Sequence, residues 1–208
     1  MSEPRSSQPR RHPGPVSEPG RPRKAPGMLL PALLLLVVLL FPTLLRPLRA
    51  NPHEVSEYQV KAAFLYNFVK FVEWPGAVST SIYDPIVIGV LGTDPFGPVL
   101  DQTFAYKRVG GRRFELRRYR TVEELELCQV LFVSSALKRD WSKVLGAVGG
   151  TPVMTVSDGD GFVKSGGIIE LLLENNKIRF DINLNEARVS KLKISAQLLQ
   201  LARKVEGK

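Results

Sequence analysis

Residues 86–97 read IVIGVLGTDPFG, an apolar hexapeptide followed by a turn bounded by glycines. A short continuous apolar run between turn signals is typical of a strand that is buried on both faces. Similar runs follow at 129–133 and 152–156, and segments with helical spacing separate them. Apolar strands that alternate with helices indicate a parallel sheet covered on both faces. The sequence therefore predicts an α/β fold of three layers.

The other elements of this fold follow from periodicity and turn chemistry. A further strand is predicted at 113–119, short helices at 95–104 and 138–147, and a helical turn at 122–127. Strands at 167–174 and 177–183 are joined by Asn175-Asn176, a loop suited to positive φ and therefore to an antiparallel hairpin. Asn183 and Glu186 resemble a capping box that opens the last helical region, with a break expected at 190–195. The prediction is a mostly parallel sheet with a C-terminal antiparallel hairpin and helices on both faces.

The segment 54–73 is predicted to be a helix that Trp74-Pro75-Gly76 ends. It is apolar around most of its circumference, which indicates burial on more than one side. One apolar stripe consists of Tyr58, Ala62, Leu65, Val69 and Val72. The second consists of Val60, Phe64, Phe68 and Phe71. Two interpretations stay open: the helix is central to the core, or Phe64, Phe68, Phe71 and Trp74 form an interface with a partner.

The first 50 residues predict export. Residues 28–45 (MLLPALLLLVVLLFPTLL) carry no charge and follow a basic, proline-rich leader. Pro31 and Pro42 interrupt the run, which suits a signal-peptide h-region, although a membrane anchor is the alternative. We expect a disordered leader at 1–27, a signal-peptide h-region or membrane anchor at 28–50 with cleavage after Ala50 left open, and an exported domain at 51–208. The alternative leaves the exported domain tethered to a membrane by 28–45, which is the inner membrane if the family resemblance described below holds.

Charge and cysteine content restrict the partners and the redox chemistry. The chain has a net charge of +9, but residues 51–208 contribute only +3 of it, so a nucleic-acid partner is not predicted. Cys128 is the only cysteine, so no intrachain disulfide can form. Because it lies beside the apolar segment 130–133, it is interpreted as a buried, inert thiol.

The residue types needed for common catalytic sites are missing from the predicted domain. Its only histidine is His53, which excludes Ser-His-Asp and Cys-His catalysis and most zinc sites. No P-loop, HExxH, GxSxG or CxxC pattern occurs. We therefore predict no catalytic residues, no metal and no cofactor. Acid–base chemistry by carboxylates near the strand ends is the alternative.

Two loops follow strands at the same predicted edge of the sheet, namely 92–97 and 158–162. Ligands of open α/β sheets bind beyond the carboxyl ends of the strands. The candidate small-ligand residues are therefore Thr93, Asp94, Phe96, Asp158 and Phe162. The alternatives are ordinary turn and capping chemistry at 92–97 and a flexible turn at 158–162.

Basic residues crowd the segment 107–120. Strand parity points Phe114 and Leu116 into the core. It points Arg113, Glu115, Arg117 and Tyr119 away from the core. This pattern indicates one solvated face, whose charges also protect a sheet edge. Contact with anionic lipid headgroups or an acidic partner is the alternative.

Several segments, in this order, carry a family resemblance. They are KAAFLYNFVKFVEWP (61–75), IVIGVLGTDPFG (86–97), CQVLFVSS (128–135), PVMTVSDGDGF followed by GGIIEL (152–171), and KIRFDINLNEARVSKLKISAQLLQLA (177–202). Together they cover nearly all of 54–205 and resemble the YfiR-like family of exported bacterial proteins.

The resemblance implies a periplasmic, dimeric α/β domain without enzymatic activity. It implies that the domain binds the periplasmic sensory part of an inner-membrane signalling protein, in the best-understood case a diguanylate cyclase that it represses. Cysteine pairs found in some members are absent here, which argues against redox control. The alternatives are a periplasmic small-molecule-binding protein and an envelope enzyme that uses carboxylates.

Overall fold

The computed structural model describes residues 52–76, 81 and 83–207, with side chains from residue 57 onward. The segments predicted as leader and as signal peptide or anchor, with the cleavage site after Ala50, lie outside the described residues. Among the described helices, none combines the length and apolar character that crossing a bilayer requires.

The described part of the chain alternates helices and strands. The helices are α1 (Pro52–Phe71), α2 (Pro98–Phe104), α3 (Trp141–Val148), α4 (Leu184–Val189) and α5 (Ala196–Leu201), with 3-10 turns at Val122–Glu124 and Ser135–Asp140. The strands are β1 (Val72–Glu73), β2 (Ile86–Leu91), β3 (Arg108–Val109), β4 (Arg112–Tyr119), β5 (Val130–Val133), β6 (Met154–Ser157), β7 (Ile169–Glu174), β8 (Lys177–Asn183), β9 (Lys193–Ile194) and β10 (Lys204–Glu206).

The main sheet has eight strands in the order β10-β8-β7-β6-β5-β2-β4-β3. Strands β7, β6, β5, β2 and β4 are mutually parallel, and β8 returns antiparallel to β7. The hairpin turns at Asn175 and Asn176, whose φ angles are 49° and 60°. Strands β1 and β9 form a separate antiparallel pair. The predicted α/β fold, with a mostly parallel sheet and a C-terminal hairpin, is confirmed.

Two apolar cores lie on opposite faces of the sheet, which makes the fold three-layered. Helices α1, α2 and α5 contribute to the larger core, and α3 with the 3-10 turns contributes to the other. Strand β2 is buried along its whole length and sends alternate side chains into each core. The first predicted stripe of α1 faces the larger core, because Ala62 and Leu65 are fully buried.

Helix α2 begins at Pro98, three residues later than predicted. Asp94 Oδ1 accepts hydrogen bonds from the backbone N–H groups of Phe96 at 2.8 Å and Gly97 at 3.3 Å, which closes a local turn. Gly97 has φ of 51°, outside the helical region, so the helix begins only after it. Asp94 therefore shapes the turn before the helix.

Strand β4 keeps the predicted alternation of side chains, but the face predicted to be solvated is buried at its last residue. Tyr119 is buried and belongs to the second core, where its ring lies against Gly89 and Cys128. Burial raises the pKa of the Tyr119 hydroxyl. The outer face of this strand is therefore solvated only up to Arg117, because the 3-10 turn at 122–124 covers the end of the strand.

Hydrogen bonds from side chains of the neighbouring strands hold the loop after β6. The carboxylate of Glu170, which is buried, accepts hydrogen bonds from the N–H groups of Gly161 at 3.2 Å and Val163 at 3.0 Å. Asn183 Nδ2 donates to the carbonyl of Val163 at 3.3 Å. These contacts from β7 and β8 satisfy backbone groups that would otherwise need water.

Candidate functional site

The sheet changes winding direction between β2 and β5. Helix α2 follows β2 on one face, and the 3-10 turn with α3 follows β5 on the other. Such a switch point opens a crevice beyond the carboxyl ends of the two strands. Here the N-terminal half of α1 reaches this edge, because side chains of α1 contact the loops that follow β2 and β6.

A group of charged and aromatic side chains connects α1 to this edge, and we call it the Lys61 cluster (Glu57, Tyr58, Lys61, Phe96 and Asp158). Lys61 Nζ lies 2.6 Å from Glu57 Oε1 and 2.7 Å from Asp158 Oδ2. Tyr58 donates its hydroxyl to the same Asp158 oxygen at 2.9 Å, and its ring packs edge-on against Phe96 with centroids 5.3 Å apart. The N-terminal half of α1 therefore contacts the loop after β2 and the loop after β6.

The ion pair between Lys61 and Asp158 is removed from solvent, since each side chain is 5% exposed. The ammonium group also lies 4.3 Å from the centroid of the Tyr58 ring. Asp158 Oδ1 is buried and has no hydrogen-bond partner within the described part of the chain. Breaking a buried pair leaves one charge without compensation, so this contact holds α1 on the sheet edge.

The predicted ligand residue Asp94 belongs to a second ionic group, the Asp94 cluster (Asp94, Asp101 and Arg118). Arg118 Nε lies 2.7 Å from Asp94 Oδ2, and its Nη2 lies 2.6 Å from Asp101 Oδ2. The hydrogen bonds that Arg118 donates to Asp101 and Asp94 raise the pKa of its guanidinium. Both oxygens of Asp94 are thus engaged, one by the turn and one by Arg118.

The other predicted ligand residues separate into different environments. Thr93 is exposed, whereas Phe96 is buried and packs against Phe132 with ring centroids 4.8 Å apart. Phe162 is 0% exposed and packs against Trp141 in the second core, with centroids 5.0 Å apart. Phe162 therefore fills the core and offers no wall to a cleft. Asp158 is held by Lys61, so the predicted cleft is closed by α1 in this structure.

The predicted interface stripe of α1 also divides. Phe68 is 0% exposed and packs against Phe180 of β8 with centroids 5.2 Å apart, so it belongs to the core. Phe64, Phe71 and Trp74 are half-buried and keep some surface. Within the second stripe, Phe64 and Phe68 pack against Phe180 of β8, whereas Val60 is 42% exposed. Of the proposed interface residues, only Phe64, Phe71 and Trp74 retain a surface that a partner can contact.

The Lys61 cluster was not predicted, because its two key charges are 97 residues apart in sequence. The only local signal was a lysine beside the buried stripe of an apolar helix, four residues after Glu57. Within the described residues, no group of three or more His, Cys, Asp or Glu side chains is arranged to hold a metal ion.

We expect Cys128 to resist alkylation in the folded chain. Burial raises its pKa to about 12, so the reactive thiolate is scarce at neutral pH. The unfolded thiol ionises near its ordinary pKa of about 8.5. Above that pH the unfolded state has released a proton that the folded state keeps, so stability falls as pH rises. Iodoacetamide labelling at pH 8, followed by mass spectrometry with and without urea, measures this; rapid labelling of the folded chain would contradict burial.

Comparison with known proteins places the chain in a family. Residues 58–203 match the family described as YfiR/HmsC-like (DUF4154), from α1 to the residue before β10. The chain belongs to the YfiR/HmsC-like family. The match includes the Asp94 cluster, every member of the Lys61 cluster except Glu57, and the buried residues of both cores. No curated protein matched the chain significantly in sequence.

Solved structures resemble the chain at low sequence identity. A conserved domain protein from Vibrio cholerae O1 biovar El Tor aligns with a TM-score of 0.50 and 10% identity, covering 72% of this chain and 60% of that one. An ABC domain from Streptococcus pneumonia, solved in complex with L-Trp, aligns with a TM-score of 0.49 and 12% identity over 71% of this chain and 61% of its own. The chain thus spans about 60% of the length of the first structure, and that likeness shows the fold alone.

Proposed function

We propose that this chain is an exported, non-enzymatic regulator that binds the periplasmic sensory part of an inner-membrane signalling protein, and that this protein is a diguanylate cyclase. The observation that carries the proposal is the family match over 58–203, since the YfiR-like family is regulatory, non-catalytic and periplasmic. The proposal includes a homodimeric domain at 51–208, delivered by the segment at 28–50, which is either cleaved or kept as a tether.

The geometry of the switch-point edge supports regulation over catalysis. A catalytic carboxylate must reach its substrate. Asp158 is buried and paired with Lys61, and Asp94 is engaged by its own turn and by Arg118. Both carboxylates thus serve to fix the positions of α1 and the loop after β2.

Helix α1 is the element best placed to transmit a signal. Its inner side carries Lys61, and its outer side exposes Val60, Ala63, Asn67 and Lys70. Val60 is an apolar residue that is 42% exposed. We propose that the partner contacts this outer side together with the exposed parts of Phe64, Phe71 and Trp74. A change at the Lys61 cluster then shifts the fraction of molecules whose α1 can bind the partner. The difference in the partner's affinity for the two states sets the activity of the signalling protein.

Photo-crosslinking from the outer side of α1 tests the proposal. A chain carrying a benzophenone amino acid at position 60, produced in its source organism, is expected to crosslink to a membrane protein with a periplasmic domain and a cyclase output. The matched control carries the same group at Lys164, an exposed residue in the loop between β6 and β7. Equal crosslinking from both positions, or products at position 60 that contain no membrane protein, would contradict the proposed interface.

Removal of residues 1–50 is expected to abolish the crosslink from position 60, because the chain then stays in the cytosol. Cell fractionation followed by immunoblotting measures the location of each form. Replacing 1–50 by an unrelated cleavable signal peptide should restore the crosslink. If the truncated chain still reached the partner, export by this segment would be wrong.

A further inference from the structure

A cavity of about 300 Å³ lies at the amino edge of the sheet, opposite the Lys61 cluster. It is bounded by the end of α1, the start of β2, the β3–β4 hairpin and the residue before β5. Its apolar lining comes from Val69, Val72, Trp74, Pro75, Ile86 and Val109. Ligand pockets in proteins begin at roughly this size, so the cavity suits a small molecule.

Arg112 contributes the only charge among the side chains that line this cavity. Its Nε donates to the carbonyl of Asp84 at 2.8 Å, and its Nη2 donates to the carbonyl of Pro85 at 3.0 Å. These two bonds fix the guanidinium plane. Nη1 has no hydrogen-bond partner among the described residues, and no carboxylate there lies within ion-pair distance of Arg112. The guanidinium is therefore preorganised and keeps an unused donor.

Gln129 adds a second donor to the cavity. The residue is 8% exposed, and its Oε1 accepts the backbone N–H of Val87 at 2.6 Å. This bond identifies the oxygen, so the amide nitrogen points away from Val87. That nitrogen has no hydrogen-bond partner among the described residues. The backbone carbonyl of Gln129 also accepts the indole N–H of Trp74 at 3.3 Å, which fixes the indole as one wall.

We propose that this cavity binds a small organic monocarboxylate with an apolar body, either aromatic or short-chain aliphatic. The carboxylate meets the guanidinium of Arg112 and the amide N–H of Gln129, and the apolar body lies against Trp74 and the valines. The lining carries one cation and no anion, so it favours a ligand with a negative head group. A hydrogen bond between charged groups is stronger than one between neutral groups. The inference goes beyond the proposed regulation and is tested on the protein without a partner.

Titration of the purified full chain with benzoate and hexanoate, each compared with its neutral amide, tests the assignment. The chain contains two tryptophans, so a Trp141→Phe background makes Trp74 the fluorescence reporter, and calorimetry on the unaltered chain gives the dissociation constant. We expect saturable binding of the carboxylates and at least about tenfold weaker binding of the amides.

Three variants assign the binding to this cavity. Arg112→Met should raise the dissociation constant about tenfold or more, whereas Arg113→Met, on the same strand but exposed, should leave it unchanged. Gln129→Glu keeps an oxygen for the Val87 N–H and replaces the donor by a repelling oxygen, so binding should be lost. Urea unfolding of each variant confirms that it is folded.

Different results would overturn the ligand class, the site and the proposal as a whole. Equal affinity for carboxylate and amide overturns the anionic class of ligand. Equal effects of Arg112→Met and Arg113→Met overturn the site, as does carboxylate binding that survives Gln129→Glu. The absence of both heat and fluorescence change at millimolar benzoate and hexanoate overturns the proposal as a whole. Because none of these measurements involves the partner, their failure leaves the proposed regulation intact.

Discussion

Replacing Lys61 with methionine is expected to lower the free energy of unfolding by about 3–5 kcal/mol. The change leaves the Asp158 carboxylate buried, with the Tyr58 hydroxyl as its only described hydrogen-bond donor. Because methionine fills a similar volume, the lower free energy of unfolding results from the missing charge and not from a cavity. Urea unfolding at neutral pH, followed by circular dichroism, measures the effect.

Two controls isolate the buried pair. Glu57→Gln removes the more exposed partner of Lys61, 22% exposed against 5% for Asp158, and should cost less than about 1 kcal/mol. Lys61→Met combined with Asp158→Leu should recover most of the loss, since apolar replacement of a whole buried pair is often neutral. A deficit equal to that of Glu57→Gln would show that Lys61 is solvated.

Phe68→Ala is expected to destabilise the chain by about 3–5 kcal/mol, because it empties a fully buried aromatic position. The lost ring packs against Phe64 and Phe180, with centroids 5.8 Å and 5.2 Å away. Val60→Ala on the outer side of the same helix should cost no more than about 0.5 kcal/mol. Thermal and urea unfolding of both variants give the comparison.

A charged residue at position 60 tests the outer side of α1 as the partner's contact, and Phe68→Ala tests the burial of Phe68 in the core. Val60→Glu should weaken crosslinking or co-purification with the partner while stability stays close to that of the parent chain. If Phe68→Ala kept full stability and lost the partner, Phe68 would be an interface residue and its burial in the core would be wrong.

The fold could be predicted because its signals are local. The apolar run at 86–91 is bounded by turns, and Asn175-Asn176 must adopt positive φ to close a two-residue loop. Periodicity of this kind depends on neighbours in sequence. The short strands β1, β3, β9 and β10 were not predicted, because two or three residues are too few to show an alternation of apolar and polar side chains.

The site was predicted only in part, because its contacts are long-range. Lys61 meets Asp158 across 97 residues, and Glu170 pins a loop that glycines alone suggested to be flexible. A helix with two apolar stripes does not reveal which of them meets the sheet, so Phe68 was assigned to a surface. Asp94 and Asp158 were correctly placed at one edge, but nothing local indicated that α1 would close it.

The regulation that we propose acts on cyclic-di-GMP synthesis through a membrane partner. The most direct measurement is the cellular cyclic-di-GMP concentration in the source organism, with the gene for this chain deleted and then restored. We predict that deletion raises the concentration, that the intact chain returns it to the original level, and that the Val60→Glu variant, exported in equal amount, does not. An unchanged concentration on deletion would contradict the proposed regulation.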